Sequence, residues 1–183
     1  MILALLSCEK MLDPDEAGNL VPKTVEEDND LPFIIIDNKK VHVETFGDIR
    51  NPLIVFLHGG PGGDYRALIS EYGKESASPY ISEREYTKGG LSQLQENYFC
   101  VFYDQRGSGL SPRYDEEELS FALLIEELDG VIDHFLNEKA TRTGQADSAV
   151  SLFGHSFGGV LATGYANRYP GKVRNIIAYE PGP

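Results

Sequence analysis

Short apolar runs alternate along this chain with longer stretches in which apolar residues recur at helical spacing. Continuous apolar runs, typical of strands buried on both faces, occupy residues 52–58, 101–103, 149–153 and 173–179. Between the second and third runs a helix is predicted from the apolar side chains of Leu119, Leu123, Leu124, Leu128, Val131, Ile132 and Phe135. Asp115 and Glu118 have the spacing of a capping box for this helix. Residues 158–169 predict another helix, which ends before Pro170.

Two further β-rich runs precede these elements. Residues 33–36 and 41–46 flank a polar stretch at 37–40, which predicts a hairpin. Residues 64–97 have weak periodicity and predict one or two helices. A hairpin followed by alternating strands and helices predicts the α/β class, with a mostly parallel, doubly wound sheet.

The first 32 residues have a different character. Residues 9–32 are polar and acidic, and we expect an acidic tether or an irregular lead-in. Residues 1–8 are apolar and end at Cys8, in a sequence that resembles a bacterial lipobox. This predicts a signal remnant, a lipid anchor at Cys8 and a place in the bacterial cell envelope, the alternative being a cytoplasmic protein. No apolar run approaches the roughly 20 residues of a transmembrane helix.

Charge and cysteine content narrow the possible partners. The net charge of −13 argues against nucleic acid, whose phosphates attract basic surfaces. The two cysteines form no CxxC pair and no His/Cys cluster is present, so neither a metal site nor a cofactor is predicted. Cys100, in an apolar run, is expected to be a buried thiol.

The third of the apolar runs leads directly into Gly-His-Ser-Phe-Gly at 154–158, and a predicted helix follows. This strand–turn–helix setting is the one that a nucleophile elbow requires. Small residues two before and two after Ser156 let the chain close tightly around it. The helix N-terminus favours negative charge, so the N–H of Phe157 is a candidate oxyanion donor. The alternative is a glycine-rich turn with an idle serine.

A second glycine-rich motif, HGGPGG at 58–63, follows the first of the strands. Glycines allow the backbone to approach a reacting carbonyl, so Gly59 or Gly60 is the candidate for the second oxyanion donor. His58 could be read as a general base. We favour a histidine at a strand end that orients the loop through hydrogen bonds.

A third motif, DQRGSG at 104–109, also follows an apolar strand. Asp104 and Arg106 could pair locally or brace the neighbouring loop, and we interpret them as structural support for the site. Together the three motifs resemble the proline iminopeptidase branch of the α/β-hydrolases, peptidase family S33. The resemblance covers about residues 33–183.

The resemblance implies an α/β-hydrolase fold and a serine hydrolase that removes an N-terminal residue, often proline, from short peptides. By position it makes Ser156 the nucleophile, and Phe157 with Gly59 or Gly60 the oxyanion hole. The substrate would be a small peptide or an ester. Esterase or other acyl hydrolase activity on the same fold is an alternative, and a non-catalytic envelope binding protein is another.

The triad of this fold runs in the order serine, acid, histidine. All four histidines (42, 58, 134 and 155) precede Ser156. We therefore expect residues 33–183 to be the N-terminal part of the domain, truncated before the cap and the last strands, and inactive alone. Glu180, at the end of the last predicted strand, could bind a substrate amine or act as triad acid. The simpler interpretation is a solvent-facing loop residue.

Overall fold

A computed structural model describes residues 22–69, 90–115 and 118–182 of the chain. Its strands are Phe33–Ile36 (β1), Lys39–Phe46 (β2), Leu53–Leu57 (β3), Phe99–Tyr103 (β4), Val150–His155 (β5) and Val173–Tyr179 (β6). Its helices are Arg66–Ile69 (α1), Phe121–Thr143 (α2) and Phe157–Arg168 (α3). Short 3₁₀ segments cover Gly90–Glu96 and Pro170–Lys172.

The strands form one mixed sheet in the order β1-β2-β4-β3-β5-β6. β1 and β2 are an antiparallel hairpin, and β2 also pairs antiparallel with β4. The pairs β3–β4, β3–β5 and β5–β6 are parallel. The prediction of a mostly parallel α/β sheet that begins with a hairpin is confirmed.

The hairpin turn is tighter than the four residues predicted. Asp37 and Asn38 alone make the turn, both with positive φ (49° and 63°), and Ile36 pairs directly with Lys39. Asp and Asn tolerate this left-handed conformation, and a two-residue turn of this hand matches the twist of the strands. β2 therefore starts two residues earlier than the polarity of the sequence indicated.

Helical elements cover both faces of the sheet. On one face, α2 and α3 bury a cluster that includes Leu128, Ile132 and Leu161 against β3 and β4. On the other face, Tyr65, at the start of the segment that leads into α1, packs against Phe56 and Phe102 together with Cys100. The Cys100 side chain is fully buried, as expected.

The helix α2 begins and ends at caps other than the predicted ones. Its N-cap is Ser120, whose Oγ accepts a hydrogen bond from the N–H of Leu123 at 3.2 Å. The capping box of Asp115 and Glu118 is therefore wrong, and Glu118 instead forms an ion pair with Lys39. Gly144, with φ of 72°, ends the helix in the left-handed conformation that C-terminal caps favour.

The described part of the segment before the sheet packs onto the domain. Val25 and Leu31 are buried with Leu110, and the N–H of Val25 donates to the Leu110 carbonyl at 2.9 Å. Residues 1–21, with Cys8, lie outside the described residues, so the lipid anchor stays a prediction. Residues 70–89 of the region predicted to hold one or two helices lie outside them too. Among the helices that the structure describes, none has the length and apolar character needed to cross a bilayer.

Candidate active site

The strand order brings two of the glycine motifs together. β3 and β5 are parallel neighbours in register, with Leu57 opposite Gly154. The loop 58–63 after β3 and Ser156 after β5 therefore emerge side by side at the same sheet edge. β4 lies on one side of β3 and β5 lies on the other. The direction in which successive strands are added to the sheet therefore reverses at β3. Open α/β sheets bind ligands at such a reversal.

Ser156 occupies a strained corner between β5 and α3. Its φ and ψ are 51° and −120°, which are unusual for a residue other than glycine. Its N–H donates to the Tyr179 carbonyl at 3.1 Å, and its carbonyl accepts from the N–H groups of Gly159 at 2.9 Å and Gly182 at 3.1 Å. The partly exposed side chain forms no hydrogen bond with any described residue. The corner thus holds the backbone firmly and leaves the hydroxyl free.

The glycines on either side of Ser156 are required by close packing. A Cβ atom on Gly154 would lie 2.5 Å from the Gly158 carbonyl oxygen and 2.6 Å from the Gly159 nitrogen. A Cβ atom on Gly158 would overlap the Leu57 carbonyl oxygen. The corner can therefore close against the end of β3 only with glycine at both positions.

The glycine loop after β3 lies directly against Ser156. A Cβ atom on Gly59 would be 3.0 Å from the Ser156 Cβ and 3.1 Å from the His155 Nδ1. Gly60 has a φ of 129°, and a Cβ atom there would lie 2.6 Å from the Gly62 nitrogen. Of the two predicted donor glycines, Gly59 thus packs against the serine, whereas Gly60 packs within its own loop.

His58 is buried and holds this loop from behind. Its Nε2 accepts a hydrogen bond from the Gln105 N–H at 3.0 Å, and its Nδ1 lies 2.9 Å from the Gly59 carbonyl, to which it donates in the matching tautomer. The Gln105 side-chain amide donates to the His58 carbonyl at 2.8 Å. Burial lowers the pKa of His58, so its ring is neutral at neutral pH. With both ring nitrogens engaged in the loop, His58 has no nitrogen free for Ser156.

Asp104 is fully buried and ties three segments together. Its Oδ1 accepts from the Tyr65 N–H at 2.9 Å, and its Oδ2 accepts from the Leu110 N–H at 2.8 Å. The Nδ1 of His42, on β2, lies 3.0 Å from Oδ2. Asp104 therefore connects the loop before α1, the loop after β4 and the hairpin. Neither His42 nor Tyr65 was among the predicted site residues.

Arg106 pairs with a residue that the motif did not include, so the local pair with Asp104 does not form. The Arg106 N–H donates to Oε1 of Glu127 at 2.8 Å, and its Nε lies 3.3 Å from Oε2. The guanidinium also lies over the Tyr114 ring at 4.7 Å. Glu127 occurs three residues after Leu124 and four before Val131, on the apolar face of α2. A carboxylate at that position was the signal that could have found it.

The remaining predicted residues are Phe157, next to the serine in the chain, and Glu180, whose neighbours bond the serine backbone. Phe157 is the first residue of α3, so its N–H has no partner within the helix. Glu180 directly follows β6 and has a positive φ of 44°, and it lies between Tyr179 and Gly182, which bond the Ser156 backbone. It is exposed and has no ion-pair partner among the described residues. The ring of His155 packs beside Tyr179 at 5.5 Å. In the described part of the chain, no histidine bonds the serine hydroxyl.

The sheet order and the serine corner at its reversal define an α/β-hydrolase. The sequence pattern of the alpha/beta hydrolase fold family matches residues 52–182, and the chain belongs to this family. A proline iminopeptidase from Saccharolobus solfataricus is 35% identical over 72% of this chain and 33% of its own. A probable aminopeptidase, YbaC from Bacillus subtilis, is 31% identical over 63% of this chain and 29% of its own. The chain therefore spans about a third of the length of these curated relatives.

Among solved structures, the proline iminopeptidase-related protein TTHA1809 from Thermus thermophilus matches 82% of this chain and 44% of its own, with a TM-score of 0.61 and 24% identity. Proteins named for other chemistry match at similar coverage. A cis-3-alkyl-4-alkyloxetan-2-one decarboxylase from Shewanella oneidensis is 28% identical over 82% of this chain and 38% of its own. The relatives thus share the α/β-hydrolase fold but are named for different reactions.

Proposed function

We propose that this chain belongs to a serine hydrolase of the proline iminopeptidase type, which releases the N-terminal residue of short peptides. One observation carries the proposal: the Ser156 hydroxyl, which no described residue bonds, stands at a strained strand–helix corner with Gly59 packed against the residue. Strained residues other than glycine persist where the surrounding structure holds them, and they cluster at active sites. The names of the Saccharolobus and Bacillus relatives support the peptidase assignment.

In the proposed reaction, the Ser156 Oγ attacks the carbonyl carbon of the scissile bond and forms a tetrahedral intermediate. The N–H of Phe157 and that of Gly59 or Gly60 donate hydrogen bonds to its oxyanion, and the N-terminus of α3 adds favourable electrostatics. The serine proton passes to a general base that the complete protein has to supply. Ser156 alone, without that base, is a poor nucleophile.

Glu180 is the candidate group for the substrate amine. Its backbone lies between Tyr179 and Gly182, both of which hydrogen-bond the Ser156 backbone. A carboxylate near a developing oxyanion disfavours it, because like charges repel. A cationic ammonium on the substrate would remove that penalty, so the residue suits a peptide with a free amino terminus. The same reasoning disfavours anionic substrates.

An esterase or another acyl hydrolase is the second candidate, and a specific feature favours it. An apolar groove of about 460 Å³ lies beside the serine corner. Its lining includes Phe121, Val160, Gly164 and Pro181. A groove of this character could take an acyl chain as well as a side chain of a peptide.

The test compares prolyl p-nitroanilide with p-nitrophenyl acetate as substrates of the complete protein. Ser156→Ala should lower turnover of the preferred substrate by about 10⁴-fold or more. Ser120→Ala, which removes only the N-cap of α2, is the matched serine control and should leave turnover unchanged at temperatures where the variant is folded. A preference for the acetate would support the esterase. Turnover of neither substrate would leave the non-catalytic envelope binding protein, and unchanged turnover in Ser156→Ala would reject the mechanism.

A further inference from the structure

The proposed reaction makes no use of one buried charge near the site. Glu127, on α2, is only 3% exposed. Burying a carboxylate costs free energy unless it is paired and hydrogen-bonded. Among the residues that the structure describes, Glu127 meets this requirement through Arg106, which it contacts with both carboxylate oxygens. The buried carboxylate is therefore joined to the loop after β4 through Arg106.

That loop is connected by hydrogen bonds to the glycine loop beside the serine. Next to Arg106 in the chain, Gln105 donates its backbone N–H to His58 Nε2 and its side-chain amide to the His58 carbonyl. His58 in turn bonds the Gly59 carbonyl through Nδ1. A continuous series of contacts thus leads from Glu127 through Arg106, Gln105 and His58 to Gly59.

The packing at the end of this series leaves little tolerance. Gly59 already lies so close to the Ser156 Cβ that an added methyl group would be at 3.0 Å. Oxyanion donors act only at hydrogen-bond distance from the place where charge develops. A displacement of about 1 Å in such a site can lower a rate about a hundredfold.

We propose that Glu127 is a positioning residue, whose carboxylate holds Arg106 and thereby, through Gln105 and His58, keeps Gly59 at its working distance from Ser156. The inference rests on the proposed function, since it assigns a role to Gly59 in the reaction of Ser156. Glu127 itself touches neither the serine nor a substrate. Its effect is expected in the rate of the chemical step and not in substrate binding.

The protonation of Glu127 provides a way to test this role. Burial raises the pKa of Glu127 to about 7, and the charge of Arg106 and hydrogen bonds from it oppose the shift. In the described part of the chain, the other ionisable groups that interact with it are Lys39, Tyr103 and Tyr114. Glu127 is therefore about half ionised near pH 7; it becomes a full carboxylate as the pH rises above that value and is protonated as the pH falls, which weakens its ion pair with Arg106.

The experiment measures kcat and KM for prolyl p-nitroanilide from pH 5.5 to 8.5, in the complete protein and its Glu127→Gln variant. Glutamine is neutral at every pH, whereas Glu127 is ionised at pH 8.5 and can hold Arg106. The kcat of wild type should therefore be about tenfold higher than that of the variant at pH 8.5. The ratio of the two kcat values should approach one at pH 5.5, while KM differs little. Taking the ratio cancels the titration of the general base, which both proteins share.

Glu126→Gln is the matched control, because Glu126 is the neighbouring residue on α2 and pairs at the surface with Arg168. Its kcat ratio to wild type should remain one at every pH. A Glu127→Gln ratio that does not change with pH, or a loss confined to KM, would overturn the positioning role. If Ser156→Ala keeps full turnover, the proposed function fails instead, so the two failures are distinguishable.

If Glu127→Gln does not fold, the proposal can be tested by NMR titration of the wild-type protein. NMR titration should then find the same midpoint for the Glu127 side-chain carboxyl carbon and for the backbone amides of Arg106 and Gly59. A Gly59 amide that does not respond at the midpoint of Glu127 would contradict the proposal.

Discussion

Gly59 lies so close to Ser156 that a Cβ atom added to the glycine would be 3.0 Å from the Cβ of the serine. The two residues come from loops after neighbouring parallel strands, and the proposed oxyanion forms where these loops meet. Gly59→Ala should therefore displace the loop and lower kcat by about tenfold to a hundredfold. Steady-state kinetics with prolyl p-nitroanilide would measure the loss.

Gly171→Ala is the control for that substitution. No atom lies within 4 Å of a Cβ placed on Gly171, which is in the 3₁₀ segment before β6. Its kinetics should match wild type. Full activity in Gly59→Ala would mean that the loop is not held against the serine.

Gly109→Ala should destabilise the protein more than an ordinary left-handed glycine would. A Cβ atom on Gly109 would overlap the carboxyl group of Asp104, and the residue has a φ of 53°. Gly144 has a similar φ of 72° but no atom within 4 Å of its Cβ position. Gly144→Ala should thus lower the free energy of unfolding by about 1 kcal/mol, for the backbone conformation alone. Gly109→Ala should cost about 2 kcal/mol more, because of the overlap.

Urea unfolding of both variants would measure the difference. An equal loss of stability in the two would contradict the buried position of Asp104 between three segments.

His58 should make the protein less stable as the pH falls. Burial lowers its pKa below the ordinary value of 6.5, so the folded state binds a proton less tightly than the unfolded state. The stability that the neutral ring provides is complete above pH 6.5 and is lost below it. Glu127 acts in the opposite direction, because its raised pKa favours the folded state as the pH falls from about 7 to 4.5.

The two effects can be separated by comparing wild type with His58→Asn, which keeps a donor near the Gly59 carbonyl but does not titrate. The difference in the free energy of unfolding between them should shrink from pH 7.5 to pH 5.5. A difference that stays constant over this range would mean that His58 is not held neutral.

The sequence predicted those elements whose local pattern matches their surroundings in the folded protein. β3 and β5 are continuous apolar runs, and strands buried on both faces need such runs. The start of α2 did not follow, since Asp115 and Ser120 are both acceptable N-caps. In the structure Ser120 caps the helix, and Glu118 pairs with Lys39. The hairpin turn was placed too long because Lys39 and Lys40 are polar, although both belong to β2.

Part of the candidate site could likewise be predicted from the sequence, and part could not. The juxtaposition of Gly59 and Ser156 follows from motifs at the ends of strands that prove to be neighbours. The contacts of Gln105 with His58, and of Arg106 with Glu127, join residues 21 to 47 positions apart. Those contacts depend on how α2 and the loops pack, and no local pattern encodes that packing.

Glu180→Gln should lower kcat/KM for prolyl p-nitroanilide by about tenfold, because the substrate ammonium loses a charged acceptor. Hydrolysis of p-nitrophenyl acetate, which has no amine, should not fall. Glu138→Gln is the control, since Glu138 pairs with Arg142 on the surface of α2. Equal losses with both substrates would assign Glu180 a structural role.

Labelling with a fluorophosphonate probe tests the role of Ser156 most directly. Such probes bond covalently to a serine only when a base activates it and an oxyanion site stabilises the adduct. In the complete protein, peptide mapping by mass spectrometry should find the adduct on the peptide that contains Ser156, and Ser156→Ala should abolish it. An adduct on a different serine, or a protein that hydrolyses its substrate without being labelled at Ser156, would contradict the assignment.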